Sequence, residues 1–401
     1  MLRRYAVFAI LTLHFIACTT VRTAKPASTR RLPSKDHFRA ADLFSLSPGN
    51  QVLYYQNAEQ ILLTRKIKAG TKKYPLVEAQ QDLSNIIFSY RDTLRTLDAF
   101  MRETKAVGLI IIRNDSVLYE KYREGTGPQT KWINFSVAKS VTSLLYGAAL
   151  QDGYIKSLDQ KVTQFIPELT GSAYDSVSLR TLLQMSSGVG WNDDPRKAES
   201  DLMKIGRLEK EKGWEGIVEY LFTLKRVAPP GEQFNYNTVE TGLAALILKK
   251  VIKKPLAEYL SEKIWKPFGM HEDGNWVLNQ SLDTEIGGCC ISATLRDYAL
   301  LGIFTMNNGV TLNGTNVLPT GWMQASTTPA KSSKEYGYYW WLRPNRRYYA
   351  SGAFGQQVEV DPLQKTVIAV QSYWPVAFNN YYVGYLDTAV EALMSALRIK
   401  K

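Results

Sequence analysis

The side chains best suited to do chemistry are a hydroxyl and an amine in the stretch Ser136-Val137-Ala138-Lys139. A run of helical character opens there. Val137, Val141, Leu144, Leu145, Ala148 and Ala149 recur near helical period, and Asp152-Gly153 ends the run. Residues at this spacing share a helix face, so Ser136 and Lys139 are predicted to be neighbours at a helix N-terminus. A serine hydroxyl is a weak nucleophile until a base takes its proton, and an amine held in a dry site can be that base. The helix N-terminus adds N–H donors and a positive dipole end where an oxyanion would form. A serine ahead of a helix is also an ordinary N-cap, so the weight falls on what accompanies it.

Composition removes several alternatives. The chain has 401 residues, 45% hydrophobic and 21% charged, enough for one large domain or two close lobes. The net charge is +12, but Lys and Arg are dispersed in short clusters such as Arg30-Arg31, Lys72-Lys73 and Lys249-Lys250. No nucleic-acid-binding motif accompanies them, and no nucleic-acid partner is expected. A Ser-His-Asp triad would have to use His271 or His37, because the third histidine, His14, lies in a leader-like segment. Neither is accompanied by a Gly-x-Ser-x-Gly elbow. His-Glu-x-x-His, Cys/His clusters and phosphate-binding fingerprints are missing, so neither metal nor cofactor is expected. Cys289 and Cys290 are adjacent and read as two small buried thiols with no cross-link.

The elements around the motif follow from pattern. Residues 1–18 read as an export signal, with Arg3-Arg4 as the basic start and 5–16 as the apolar centre. The exit, Phe15-Ile16-Ala17-Cys18, resembles a bacterial lipobox, which would make Cys18 a lipidated membrane tether in the periplasm. The other reading is an uncleaved anchor, for which the apolar run is short. Residues 19–40 read as a basic tether and 41–92 as an N-terminal extension. Residues 83–104 show helical periodicity through Leu94, Leu97, Phe100 and Met101. Two apolar runs, 107–112 and 117–122, flank Asn114-Asp115, which is hairpin chemistry. From about 153 to 306 the pattern is mainly helical, an inserted lobe. It is broken by Pro229-Pro230-Gly231 and by Gly287-Gly288. Strand-like runs return at 338–342, 357–360 and 366–373, and 381–397 closes as a helix. The expected fold is therefore α+β, an α/β sandwich. Its central antiparallel sheet is built from both chain ends and flanked by helices.

With these elements in place, the chain resembles the serine β-lactamase/penicillin-binding-protein superfamily. The likeness is greatest to its class C-like esterase and 6-aminohexanoate-dimer hydrolase branch, over roughly 93–397. Three motifs carry it in order: Ser136-Val137-Ala138-Lys139, then Tyr236-Asn237-Thr238, then Ala350-Ser351-Gly352-Ala353-Phe354-Gly355-Gln356. Leu183-Gln184-Met185-Ser186-Ser187-Gly188 and Gly287-Gly288-Cys289-Cys290 support them. The resemblance implies a nucleophilic Ser136 assisted by Lys139 and Tyr236, acting on an ester or small amide through an acyl-enzyme. A phenol serves as a base near neutral pH only beside a cation, and Lys139 is the candidate. Which of the two holds the proton at each step stays open. The implied oxyanion donors are the backbone N–H groups of Ser136 and Ala353. Thr238, Ser351, Gly352 and Trp191 are the implied substrate contacts.

Two departures bear on substrate. Thr238 stands where the family usually has Asn, and Ala350 where β-lactam-recognising members carry Lys or His. The second departure argues against a β-lactamase or DD-peptidase, which is the alternative along with a non-catalytic binding protein on the same fold. Arg346 and Arg347 read as exposed turn residues. Tyr339, Trp340 and Trp341 belong either to the acyl pocket or to the core.

Overall fold

The computed structural model describes residues 32–35, 38–194, 197–279 and 281–397. The leader, Cys18, most of the tether and His37 lie outside them. After α1 (Pro48–Gln56) come β1 (Thr64–Ile67) and β2 (Val77–Glu78), then a hairpin of β3 (Ile87–Tyr90) and β4 (Thr93–Thr96). α2 (Leu97–Glu103), β5 (Ala106–Arg113), β6 (Ser116–Tyr122) and β7 (Trp132–Ile133) lead to α3 (Val137–Gln151). The middle of the chain holds α4 (Thr238–Ile252), β8 (Gly274–Asn279), β9 (Thr284–Glu285), β10 (Ile291–Ala293) and α5 (Leu295–Met306). The last part supplies β11 (Trp341–Leu342), β12 (Tyr348–Gly352), β13 (Gln356–Asp361), β14 (Thr366–Ser372) and α6 (Asn380–Ala396).

The main sheet runs in the order β11-β12-β13-β14-β5-β6-β2. Its central pair joins the two chain ends, with Ile110 opposite Ala369 and Ile112 opposite Val367 in antiparallel register. β5 is apolar and buried through Ala106–Ile112, as befits a strand covered on both faces. Each of Ile110, Ile111 and Ile112 is at most 1% exposed, and burying such a side chain contributes about 1.5–3 kcal/mol. α5 packs on β13, β14 and β5, where Tyr348 Oη donates to Thr305 Oγ1 at 3.0 Å. α2 and α6 pack together elsewhere on the body, and α6 is tied to the sheet by Arg343–Asp387 and Arg347–Glu391 ion pairs. The α+β expectation holds, with helices on a sheet completed by both ends.

A second, smaller sheet has the order β1-β8-β10-β7, with β9 paired to β8. In it Ser292 lies opposite Ile133. This pairing brings the chain leaving Gly287-Gly288 alongside the chain entering Ser136. The span 153–306 is thus not wholly helical, because β8, β9 and β10 belong to it. Residues 83–104 are likewise not one helix. Arg91 and Asp92 take left-handed conformations (φ 49° and 58°) and make the tight turn of the β3–β4 hairpin. Phe88 is buried on one face of that hairpin and packs edge-on against Tyr385 of α6. The periodicity belonged to two consecutive elements. Arg346 is exposed as expected, but Arg347 is only 7% exposed and faces Glu391 and Glu359.

Candidate active site

Ser136 sits at the N-cap of α3, with φ −70° and ψ −4°, and its hydroxyl does not cap the helix. The first N–H groups are instead taken by backbone carbonyls of the turn before: Val137 by Asn134, Ala138 by Phe135 and Lys139 by Ser136. The hydroxyl is left for Lys139, whose Nζ donates to Ser136 Oγ at 3.1 Å. Lys139 is only 2% exposed. Its ammonium also donates to the Gly288 carbonyl at 2.8 Å. A Cβ at Gly288 would fall 2.3 Å from Thr241 Oγ1 and 3.2 Å from Lys139 Nζ, so a side chain there would force this carbonyl away.

Tyr236 reaches the same place from the other lobe. It lies in an extended segment held to the 185–191 stretch. Asn235 N–H donates to Met185 O at 2.8 Å, and Asn235 Nδ2 donates to Trp191 O at 3.1 Å. Its ring centroid is 5.0 Å from Lys139 Nζ, a cation–π distance. Trp341 also stacks on the ring, 6.2 Å between centroids and 17° between planes.

The third motif closes the site. β12 ends at Gly352, where a Cβ would lie 2.2 Å from Asn134 O and 3.2 Å from Ser136 N. Only glycine lets the strand approach the Ser136 turn this closely. Ala353 follows immediately and is buried. Among the described residues, neither Ser136 N–H nor Ala353 N–H donates to a backbone carbonyl. With Gly352 against the Ser136 turn, these two N–H groups are left for an oxyanion. Ser136, Lys139, Tyr236, Gly352 and Ala353 are thus brought together from across the sequence. The arrangement can deprotonate a hydroxyl, hold a negative oxygen and return a proton.

The β-lactamase family model matches residues 94–378, most of the chain and all three motifs. The chain belongs to this family. A 6-aminohexanoate-dimer hydrolase of Paenarthrobacter ureafaciens is 29% identical over 315 residues, covering 73% of this chain and 78% of its own. Among solved structures, a putative 6-aminohexanoate-dimer hydrolase from Bacillus anthracis superposes with a TM-score of 0.78 at 21% identity. That match covers 92% of this chain and all of the other. A class C β-lactamase superposes with a TM-score of 0.60 at 16% identity, over 76% and 95% of the two chains.

Within this β-lactamase-family site the remaining expected contacts separate. Thr238, expected as a substrate contact, donates its hydroxyl to Asp193 Oδ2 at 2.6 Å and its N–H to Asp193 Oδ1 at 2.8 Å. Only its oxygen lone pairs remain for a ligand. Trp191 is 9% exposed, and its indole N–H donates to the same carboxylate at 2.6 Å. Asp193 therefore ties the 186–193 loop to the start of α4. Its sequence signal is nil, since an acid in a loop is usually a solvated one. Ser351 is half-buried at the rim of β12. Tyr339 and Trp340 are core at 1% and 3% exposure, whereas Trp341 is half-buried beside Tyr236.

Two further groups were not legible. Glu240 of α4 is fully buried, and burial, with Asp193 nearby, pushes its carboxyl up to about 8. Asn237 Nδ2 donates to its Oε1 at 3.2 Å. Cys289 and Cys290, expected as free thiols, are joined as a vicinal disulfide with Cα atoms 3.6 Å apart. Cys290 sits at φ 80°, and its N–H donates to Phe135 O at 3.0 Å.

Proposed function

We propose that this family member is a serine hydrolase that cleaves an ester or small amide through an acyl-enzyme on Ser136. The observation that carries the reading is the 3.1 Å contact from Lys139 Nζ to the Ser136 hydroxyl, with the Tyr236 ring against the same ammonium. In the proposed reaction the Lys139–Tyr236 pair takes the hydroxyl proton as Ser136 Oγ attacks the substrate carbonyl. The negative oxygen is received by the N–H groups of Ser136 and Ala353. Collapse breaks the bond to the alcohol or amine, which leaves with the proton held by the pair. Water then attacks the acyl carbon, gives a proton to the pair and releases the acid, and Ser136 recovers its hydrogen.

The substrate side of the reading rests on charge. Ala350 is 1% exposed and supplies no cation at the third motif. Of the nearby arginines, Arg343 and Arg347 are engaged with Glu359, Asp387 and Glu391, and Arg346 is exposed in the turn ahead of β12. A carboxylate of the kind that β-lactams carry finds no free partner on this strand. The 29% identical relative is named for hydrolysing a dimer of 6-aminohexanoate, which supports a small linear amide or ester here. The leader pattern in 1–18 supports export, with Cys18 as lipid attachment. Labelled-palmitate incorporation lost in Cys18→Ala would bear that out, and incorporation unchanged in that variant would overturn it.

The test of the central reading is fluorophosphonate labelling with intact-mass detection, followed by turnover of p-nitrophenyl esters, linear amides and nitrocefin. Labelling and ester or amide turnover should both vanish in Ser136→Ala. Labelling that persists in that variant removes Ser136 as the nucleophile. Nitrocefin turnover faster than that of the esters and amides would make the protein a β-lactamase.

A further inference from the structure

The residues that flank the two oxyanion donors share an unusual property. Phe135 precedes Ser136 and Phe354 follows Ala353, and both adopt left-handed backbone conformations, φ 48° and 62°. Bulky residues seldom occupy this region, and such strain persists only where the surroundings over-determine it. Both side chains are at most 1% exposed, and their rings pack on each other with centroids 5.1 Å apart.

Part of what surrounds them comes from outside the 94–378 family match. Tyr55, on α1 and fully buried, packs on Phe135 at 5.1 Å and on Phe354 at 5.7 Å. Phe44, in the short helical turn Ala40–Ser45, packs on the same two rings at 5.4 and 5.7 Å. Gln51 Nε2 on α1 donates to Trp374 O at 3.1 Å, and Trp374 N–H in turn donates to Phe354 O. From within the domain, Gln356 Nε2 lies 3.2 Å from both the Ala353 and the Phe354 carbonyls and 2.7 Å from Ser372 O. Four aromatic rings and two amides thus gather where the chain passes Ser136 and Ala353.

We infer that the segment 40–56, ahead of the hydrolase domain, is a positioning element for the oxyanion site, acting through Tyr55 and Phe44 on Phe135 and Phe354. This rests on the proposed roles of Ser136 and Ala353. The segment touches no reacting atom. It fixes the two left-handed residues, and these aim the donors. Removing a ring from the cluster frees Phe135 and Phe354 to relax toward ordinary backbone conformations, which turns the N–H groups away from the developing charge. The loss falls on acylation rather than on substrate binding, because the donors act most strongly on the tetrahedral state.

The test uses the full chain and a short-chain p-nitrophenyl ester. Acylation rate, KM, thermal midpoint and the infrared carbonyl stretch of the acyl-enzyme are measured together. Tyr55→Leu is expected to slow acylation by about 10–100-fold, short of the full loss of a donor, with KM within about threefold. The acyl carbonyl band should move to higher frequency as its hydrogen bonds weaken. Tyr55→Phe, which keeps the ring, should recover most of the rate and the band position. Should Tyr55→Leu fail to fold, Phe44→Leu, at the half-buried edge of the cluster, is read in the same way and should lose several-fold in rate. A folded variant that acylates at the wild-type rate overturns the inference. So does a lowered thermal midpoint with an unmoved carbonyl band, which would make the cluster merely structural. If Ser136→Ala still turns over the ester, the reading of the nucleophile has failed instead, and the two failures are told apart.

Discussion

Two helices begin at the site, and they begin in opposite ways. At α4 side chains do the capping. Asn237 Oδ1 accepts from the N–H groups of Val239 and Glu240, and Asp193 takes the N–H of Thr238. At α3 the backbone does it, through the carbonyls of Asn134, Phe135 and Ser136, and the side chain at the cap position is released to meet Lys139. Both starts carry a short polar residue that a sequence reader would score as an N-cap. Only one spends that residue on the helix. A hydroxyl held out of capping by a strained turn is available for chemistry, and a fully capped start is a frame for what stands next to it, here Tyr236.

The contrast is sharpest where the expected losses are largest. Ser136→Ala should reduce turnover by about 10⁴–10⁶-fold, as removal of a nucleophile does, while the thermal midpoint stays within a few degrees, because the hydroxyl caps nothing. A large drop in midpoint would mean that Ser136 is a structural cap after all. Tyr236→Phe should lower turnover by roughly 10²–10³-fold, the range for a general acid–base group, with cation–π packing against Lys139 retained. Unchanged turnover would shift the whole proton transfer to Lys139.

On the scaffold side the effects move from rate to stability. Glu240 is neutral in both folded and unfolded chains below about pH 4.5. Between there and about 8 the unfolded chain ionises it while the folded chain keeps it protonated. Folding stability therefore falls as pH rises through that window, by up to about 1.4 kcal/mol per unit from this one group. The groups facing it, Tyr174, Asn237, Ser187 and Asp193, include no cation in direct contact to reverse the sign. Glu240→Gln should remove this slope, so its denaturation midpoint should gain on wild type between pH 5 and 8 and level off above. A constant offset across that range would show the carboxyl to be ionised in the fold. The smallest effect belongs to Asn237→Ala, which should destabilise by about 1 kcal/mol in urea titration. A loss in turnover larger than its loss in stability would make Asn237 more than a cap.

The parts of the site readable from sequence were those whose chemistry is rare at fixed spacing. The Ser136-Lys139 pair was expected from spacing, Tyr236 and the Gly352-Ala353 strand end from the resemblance, and the fold brings them to one place. The parts that escaped depend on partners distant in the chain. Asp193 acquires meaning only from Thr238, 45 residues later. Phe135 and Phe354 look like ordinary core aromatics until their φ angles are known. The fold was legible where one period ran through one element, as in α3 and α6. It failed at 83–104, where Leu94 is 72% exposed on a strand and Leu97 begins a helix, so two elements mimicked one. Residues 274–293 escaped because their short strands gain their partners, β1 and β7, from far upstream.

The seam between β5 and β14 has a bearing on how the protein is made. Synthesis delivers the hydroxyl and the amine more than 200 residues before Ala353, and the strand carrying that alanine is added to the sheet through β13 and β14. A nascent chain that stops short of β12 therefore carries Ser136 and Lys139 without Ala353 beside them. The cleft is complete only once β12, β13 and β14 have docked on β5. On the proposed mechanism, a chain truncated before residue 348 would carry its nucleophile and remain silent.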